Sequence, residues 1–271
     1  MGLYTMKTSP QADKIVEETN SWAKKATKGL ITDVLHDIHP NTKLLLGNAV
    51  YFKGSWIDEF DREQTENRDF YPLDGDKVSV PFMTSNENYL YGSFNGFKVL
   101  KIPYQSGQDE KMFSMYFFLP DKRDGLENLL TKVNSDPGFL HKHFELRSVE
   151  FNEFWIPKFK FSSTFETSKT MIEMGLTLPF MEDCMELTKM VELPSGVPLY
   201  ISQIIQKASI EVDEGGTEAA AVTMTDYCGC CLEADIPETE NFVADHPFMF
   251  MIKEETSGMV LFTGAVFNPF L

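Results

Sequence analysis

Apolar positions repeat first at the spacing of a helix and then, for most of the chain, at the spacing of strands. Between Gln11 and Lys28, Ile15, Val16, Trp22, Ala23 and Ala26 recur at near-helical intervals, and Gly29 stands where a C-cap belongs. LLLGNAVYF, Leu44 to Phe52, has the branched and aromatic character of a buried strand, broken by Gly47 and Asn48. Strand patterns follow at Lys77 to Met83, Phe97 to Pro103, Met112 to Leu119 and Val149 to Phe161. Within the last, FWIPKFKFSSTF sets Phe159 and Phe161 on one face and Lys158 and Lys160 on the other. Pro120, Asp121 and Gly125 punctuate the step into a short helix around Leu126 to Val133. A helical turn near Ser168 to Gly175 precedes strands at Leu199 to Val212, Phe248 to Ile252 and Met259 to Phe267. The pattern predicts a strand-dominated α+β domain without internal repeats, carrying one long exposed loop between two strands.

Composition narrows the partners more than the fold. With 271 residues, 42% of them hydrophobic, the chain can bury a substantial core, and 23 Phe and 14 Met make that core aromatic and soft-packed. A net charge of −17 argues against nucleic acid and against anionic membrane surfaces, since both call for a basic face. No apolar run approaches the ~20 residues of a membrane-spanning helix. The start, MGLYTMKTSP, has no apolar h-region, and Met6 stands where a myristoylation signal wants Ser or Thr. There is no Asn-x-Ser/Thr sequon. Four cysteines in so long a chain suit free thiols and a reducing compartment, which makes cytosol the default location.

The predicted loop is the informative segment. DEGGTEAAAVTMTDYCGCCLEADIPETE, Asp213 to Glu240, is too polar for core and too long for an ordinary connection. Were it extended from Thr217, then Thr217, Ala219, Ala221, Thr223 and Thr225 would share one face, all of them small. Glu218, Ala220, Val222, Met224 and Asp226 would share the other. Such a segment can stay exposed as a plain surface loop. It can also slot into an existing sheet, which would satisfy its backbone groups. Gly215 and Gly216 supply the freedom to fold it back at its base.

EVDEGGTEAAAV, Glu211 to Val222, resembles the hinge of the serpin family, whose reactive-centre loop inserts as an extra strand into the main sheet. NAVYFKGSW (Asn48 to Trp56) resembles the strand that opens to receive that loop. FVADHPFMF (Phe242 to Phe250), in the form typical of plant serpins, and LFTGAVFNPF (Leu261 to Phe270) resemble the strands that follow it. NSWAKKATKGLITDVL, PFMTS and FSMYFFLPD fit as well, so the resemblance covers nearly all of the chain from about Gln11. It implies one partial serpin domain over residues 1–271, with hinge and reactive-centre loop at 213–241. The family's N-terminal third has no counterpart, and its absence predicts exposed apolar sheet surface.

The resemblance implies a suicide-substrate inhibitor of serine endopeptidases, with cysteine endopeptidases as a second target class. The protease cleaves the loop as substrate, and the upstream part then inserts and carries the acylated protease with it. Glu214, Gly215, Gly216, Thr217, Glu218, Ala219, Ala220 and Ala221 match the hinge. Counting from them puts the scissile bond between Cys230 and Cys231, to within about one residue because loop lengths in the family vary. Asn48, Trp56 and Gln206 match the gate through which the loop enters, Gln206 standing where the family usually has His. Ala208 to Ile252 contains no Lys or Arg, so a trypsin-like target would lack its ion pair. Cys230 suits an elastase-like pocket instead. Plant serpins make the extracellular space a second compartment. The alternative is a non-inhibitory relative, a substrate or a binding module, because the N-terminal third is missing.

Other chemistry is weakly signalled. No G-x-S-x-G, H-E-x-x-H or P-loop pattern points to an enzyme or a cofactor. His36, His39, His141 and His143 are scattered, and His246 reads as structural beside Pro247. Cys228, Cys230 and Cys231 lack the usual zinc spacing; they read as idle exposed thiols, or as a redox control on the bond. The acidic run Glu233 to Glu240 lacks EF-hand spacing and reads as a solvated face.

Overall fold

The computed structural model describes residues 2–5, 12–39, 41–107, 111–185, 187, 198–217 and 239–269. The chain divides into two compact units, Met1–Phe52 with Phe161–Ile210 and Lys53–Lys160 with Glu211–Leu271.

In the first unit the predicted helix spans Ala12–Ala26, burying Ile15, Thr19 and Ala23. It ends where the backbone turns left-handed, at Lys28 (φ 53°) and Gly29 (φ 94°). Asn20 then holds the following segment: its side-chain oxygen accepts from the Val34 and Leu35 amides, and its amide donates to the Leu35 carbonyl. Ile31, Val34 and Leu35 thereby join Ala23, Leu45, Ala49 and Ile205 in one apolar cluster. The sheet runs Gly2–Thr5, Leu44–Tyr51, Ile201–Val212, Phe159–Glu166. Leu44–Tyr51 passes through Gly47 and Asn48 without the predicted break. Gly47 is there for packing, since a Cβ on it would lie 3.9 Å from the Trp22 ring. Lys207, on Ile201–Val212, buries its ammonium on the carboxylate of Asp33 at 2.9 Å. Large exposed apolar side chains gather at Phe165, Ile172, Met174, Leu176 and Leu178.

In the second unit a six-stranded antiparallel sheet runs Val260–Val266, Phe248–Glu254, Phe113–Pro120, Phe97–Pro103, Tyr89–Phe94, Arg147–Val149. Phe97, Val99, Tyr116, Phe118, Met249 and Met251 pack on one side with Leu126 and Leu129 of the helix Leu126–Ser135. Phe117, Phe248, Phe250 and Ile252 are buried as well. Burial of both faces is why MYFFL reads as an unbroken apolar run. A second sheet runs Glu240–Val243, Phe151–Pro157, Val78–Met83, Glu66–Phe70.

The single strand expected over Val149 to Phe161 is three strands, Arg147–Val149, Phe151–Pro157 and Phe159–Glu166. Pro157 has no N–H to continue the ladder, and the Lys158 amide donates instead to the Pro81 carbonyl at 2.9 Å. His246 is buried, with Nε2 2.8 Å from the Pro120 carbonyl and Nδ1 2.6 Å from the Asp245 carboxylate.

The turn after Phe248–Glu254 is closed by Glu254, whose carboxylate accepts from the Thr256 and Ser257 amides and from the Ser257 hydroxyl. The Ser257 bonds, hydroxyl first, hold its pKa down to about 2. A folded value below the unfolded one means a contribution that is complete above about 4.5 and fades as pH falls toward 2. Glu254→Ala is therefore expected to lower the melting temperature by a few degrees at pH 7 and by less at pH 3, in scans at both pH values.

Candidate hinge and loop base

The strand Ile201–Val212 ends in a tight reversal over Asp213–Gly216. Asp213 N–H donates to the Gly216 carbonyl at 2.9 Å, Gly216 N–H donates back at 3.2 Å, and Gly215 N–H caps the Asp213 carboxylate at 3.0 Å. Gly216 adopts φ +136°, and a Cβ there would lie 2.2 Å from the Gly54 carbonyl oxygen. Only glycine fits. The chain leaves the turn as the short strand Gly216–Thr217, antiparallel to Gly54–Ser55 with Gly216 opposite Ser55 and Thr217 opposite Gly54.

Three anchors fix this reversal. Trp56, fully buried, donates its indole N–H to the Asp213 carbonyl at 3.0 Å and its backbone N–H to the Gly215 carbonyl at 3.1 Å. Glu214 is almost completely buried, yet both its carboxylate oxygens are engaged: Thr65 donates to one at 2.7 Å and the Lys158 ammonium to the other at 2.7 Å. Burial alone would raise the Glu214 pKa, but the bonds from Lys158 and Thr65 outweigh it and hold the carboxyl below its ordinary value. Thr217, the third anchor, has no exposed surface and sets its hydroxyl 2.7 Å from that of Tyr104. The Tyr104 ring stacks on Trp56 at 4.4 Å, and burial pushes its phenol well above the ordinary range, so it stays protonated.

Of the predicted hinge, Glu214, Gly215, Gly216 and Thr217 are brought together here. Glu218, Ala219, Ala220 and Ala221, the bond between Cys230 and Cys231, and Cys228 lie outside the described residues. Trp56 belongs to this loop base. Asn48 and Gln206 belong to the first unit, directly opposite each other in the parallel pairing of Leu44–Tyr51 with Ile201–Val212. The Asn48 side-chain oxygen is buried with no hydrogen-bond partner among the described residues. Sequence reasoning missed Thr65, Tyr104 and Lys158 as site residues. Lys158 was visible only as the polar side of an alternating strand, and nothing local marks the other two. Among the described residues no group of His, Cys, Asp and Glu could hold a metal ion, and no helix is long and apolar enough to cross a membrane.

A mixed set of sheets with few helices, and a buried glutamate-glycine reversal leading into Thr217, fit a serpin. The family described as "Serpin (serine protease inhibitor)" matches residues 4–269, and the chain belongs to it. Within the family it is of the plant type. It is 47% identical over 264 residues to Serpin-ZX of Arabidopsis thaliana, covering 96% of this chain and 66% of that one. It is 44% identical over 263 residues to Serpin-ZXA of Oryza sativa subsp. japonica, covering 96% and 65%. The solved Arabidopsis AtSerpin1 in its native stressed conformation superposes with a TM-score of 0.81 at 45% identity, over 95% of this chain and 66% of that one. Thyroxine-binding globulin in complex with thyroxine shares the fold at a TM-score of 0.72 and 26% identity, over 94% and 64%. The chain thus spans about two thirds of its relatives' length.

Proposed function

We propose that this protein inhibits endopeptidases as a suicide substrate, through cleavage of the loop that follows Thr217 and its insertion into a sheet. The observation that carries this is the loop base: the chain has already reversed after Val212 and begun a strand, with Thr217 facing inward and buried. Were the strand continued, alternation would set Ala219, Ala221, Thr223 and Thr225 on the same side as Thr217, where small side chains would fit. Cleavage falls between Cys230 and Cys231. The lack of Lys and Arg around that bond favours an elastase-like serine protease, or a cysteine protease that accepts a small residue.

The test needs no knowledge of the target. Nicking the loop anywhere between Val222 and Glu233 is expected to raise the melting temperature by more than about 10 °C. An inserted strand gains several backbone hydrogen bonds of about 1 kcal/mol each, and each kcal/mol is worth about 2–4 °C in a chain of this size. Covalent complexes with an elastase-like protease should then survive denaturing gels. No rise on nicking would leave the second reading, a serpin-like substrate or binding module. Two observations favour that reading: the Asn48 oxygen, buried without a partner among the described residues, and the thyroxine complex on the same fold.

A further inference from the structure

Tyr104 and Thr217 share a buried hydroxyl–hydroxyl contact. Tyr104 is buried, its hydroxyl 3.6 Å from the Met115 sulfur and 2.7 Å from the Thr217 hydroxyl. Each hydroxyl has one proton. Tyr104 can donate to the sulfur or to Thr217, and either hydroxyl can be the donor across the 2.7 Å contact, so the two satisfy each other inside the fold. The ring is held independently of the loop. It lies on Trp56 with an interplanar angle of 13°, and the Tyr104 amide donates to the Phe113 carbonyl at 2.9 Å. Thr217, by contrast, follows a glycine at φ +136°, and among the described residues its strand pairs with Gly54–Ser55 over two residues.

From this we infer that Tyr104 is a positioning residue for loop insertion: its hydroxyl fixes Thr217 as the first residue of the incoming strand. The anchor sets which face of the following chain points inward and where its register against Gly54 begins. Without the hydroxyl, Thr217 loses its side-chain partner among the described residues and keeps a buried polar group, and Gly216 gives it the freedom to swing out instead. The role rests on the inhibitory reading proposed above, whereas the anchor itself does not.

The test compares Tyr104→Phe, Thr217→Val and the double variant with the parent. In intact protein, hydrogen exchange at the Gly216 amide, which donates to the Asp213 carbonyl, is expected to be about tenfold faster in Tyr104→Phe. In the double variant, where neither hydroxyl is left to satisfy the other, it returns to within about twofold of the parent. After nicking, the rate at which heat stability develops should fall about tenfold in Tyr104→Phe. Unchanged exchange, or insertion at the parental rate, overturns the proposal. Faster exchange in Tyr104→Phe with no gain on nicking in any form, the parent included, would sink the inhibitory reading and the positioning role while leaving the anchor standing. Should Tyr104→Phe fail to fold, Thr217→Val removes the same bond, leaves the Tyr104 hydroxyl able to donate to Met115, and is expected to raise Gly216 exchange severalfold; unchanged exchange there overturns the proposal equally.

Discussion

Gly216→Val should be the most damaging single change at the loop base, lowering the unfolding free energy by about 3 kcal/mol or more. Two costs add. The backbone at φ +136° is one that side-chain-bearing residues rarely adopt, and a Cβ would sit 2.2 Å from the Gly54 carbonyl oxygen and 2.8 Å from the Ser55 Cα. Neither obstacle is the far end of a flexible side chain, so the Gly216–Thr217 strand must leave Gly54–Ser55 and carry Thr217 out of its burial. Gly29→Ala separates the two costs. Gly29 is also left-handed, at φ +94°, but nothing lies within 4 Å of its Cβ position. It should lose only about 1 kcal/mol. Urea unfolding of both variants makes the comparison, and equal losses would mean that the contact with Gly54 is not close in solution.

The second large effect is expected at Lys158. Lys158→Met leaves the Glu214 carboxylate with the Thr65 hydroxyl and its own backbone amide but no cation, in a site where its side chain is 6% exposed. Removing one partner of a buried pair costs about 3–5 kcal/mol. Lys158 itself is one-third exposed, so solvent screening brings the expectation to about 2–3 kcal/mol at pH 7. The pH dependence gives the sharper test. In the parent the folded Glu214 value lies below the unfolded one, so its contribution is complete above about 4.5 and fades as pH falls through the folded value. Once the ammonium is gone, burial is the leading influence and favours the protonated acid, so the variant gains relative stability as pH falls. The gap between parent and variant should therefore be widest near pH 7 and narrow as pH falls below about 4.5. A gap that stays constant as pH falls from 7 through 4.5 and below would assign the loss to packing of the lysine stem rather than to the charge pair.

Much of the fold was legible because periodicity is local. The helix of Ala12–Ala26 and the strands around Phe97–Pro103 and Phe113–Pro120 announce themselves by the spacing of their own apolar residues. Elements that escaped notice lacked that signal. Glu66–Phe70 is a sheet-edge strand of whose five residues only Phe70 is buried, so it reads as polar. Tyr89–Phe94 contains Gly92, which looks like a breaker and is there because a Cβ would approach the Glu145 carbonyl oxygen to 2.9 Å.

The same division runs through the loop base. By itself the sequence determined that EVDEGGTEAAAV opens a long segment rich in small residues, that two glycines permit a reversal, and that the chain resembles serpins from about Gln11 onward. Tertiary structure decided the partners. Glu214 meets Lys158 from 56 positions earlier and Thr65 from 149 earlier, while Thr217 meets Tyr104 across 113. A hydrogen-bond partner leaves no trace in the local spacing of residues when the backbone must cross several strands to deliver it. Which face of Thr217 is inward was likewise undecided by alternation, because a strand pattern defines two faces without saying which one the core will take. Burial of Thr217 against Tyr104 and Trp56 makes that choice.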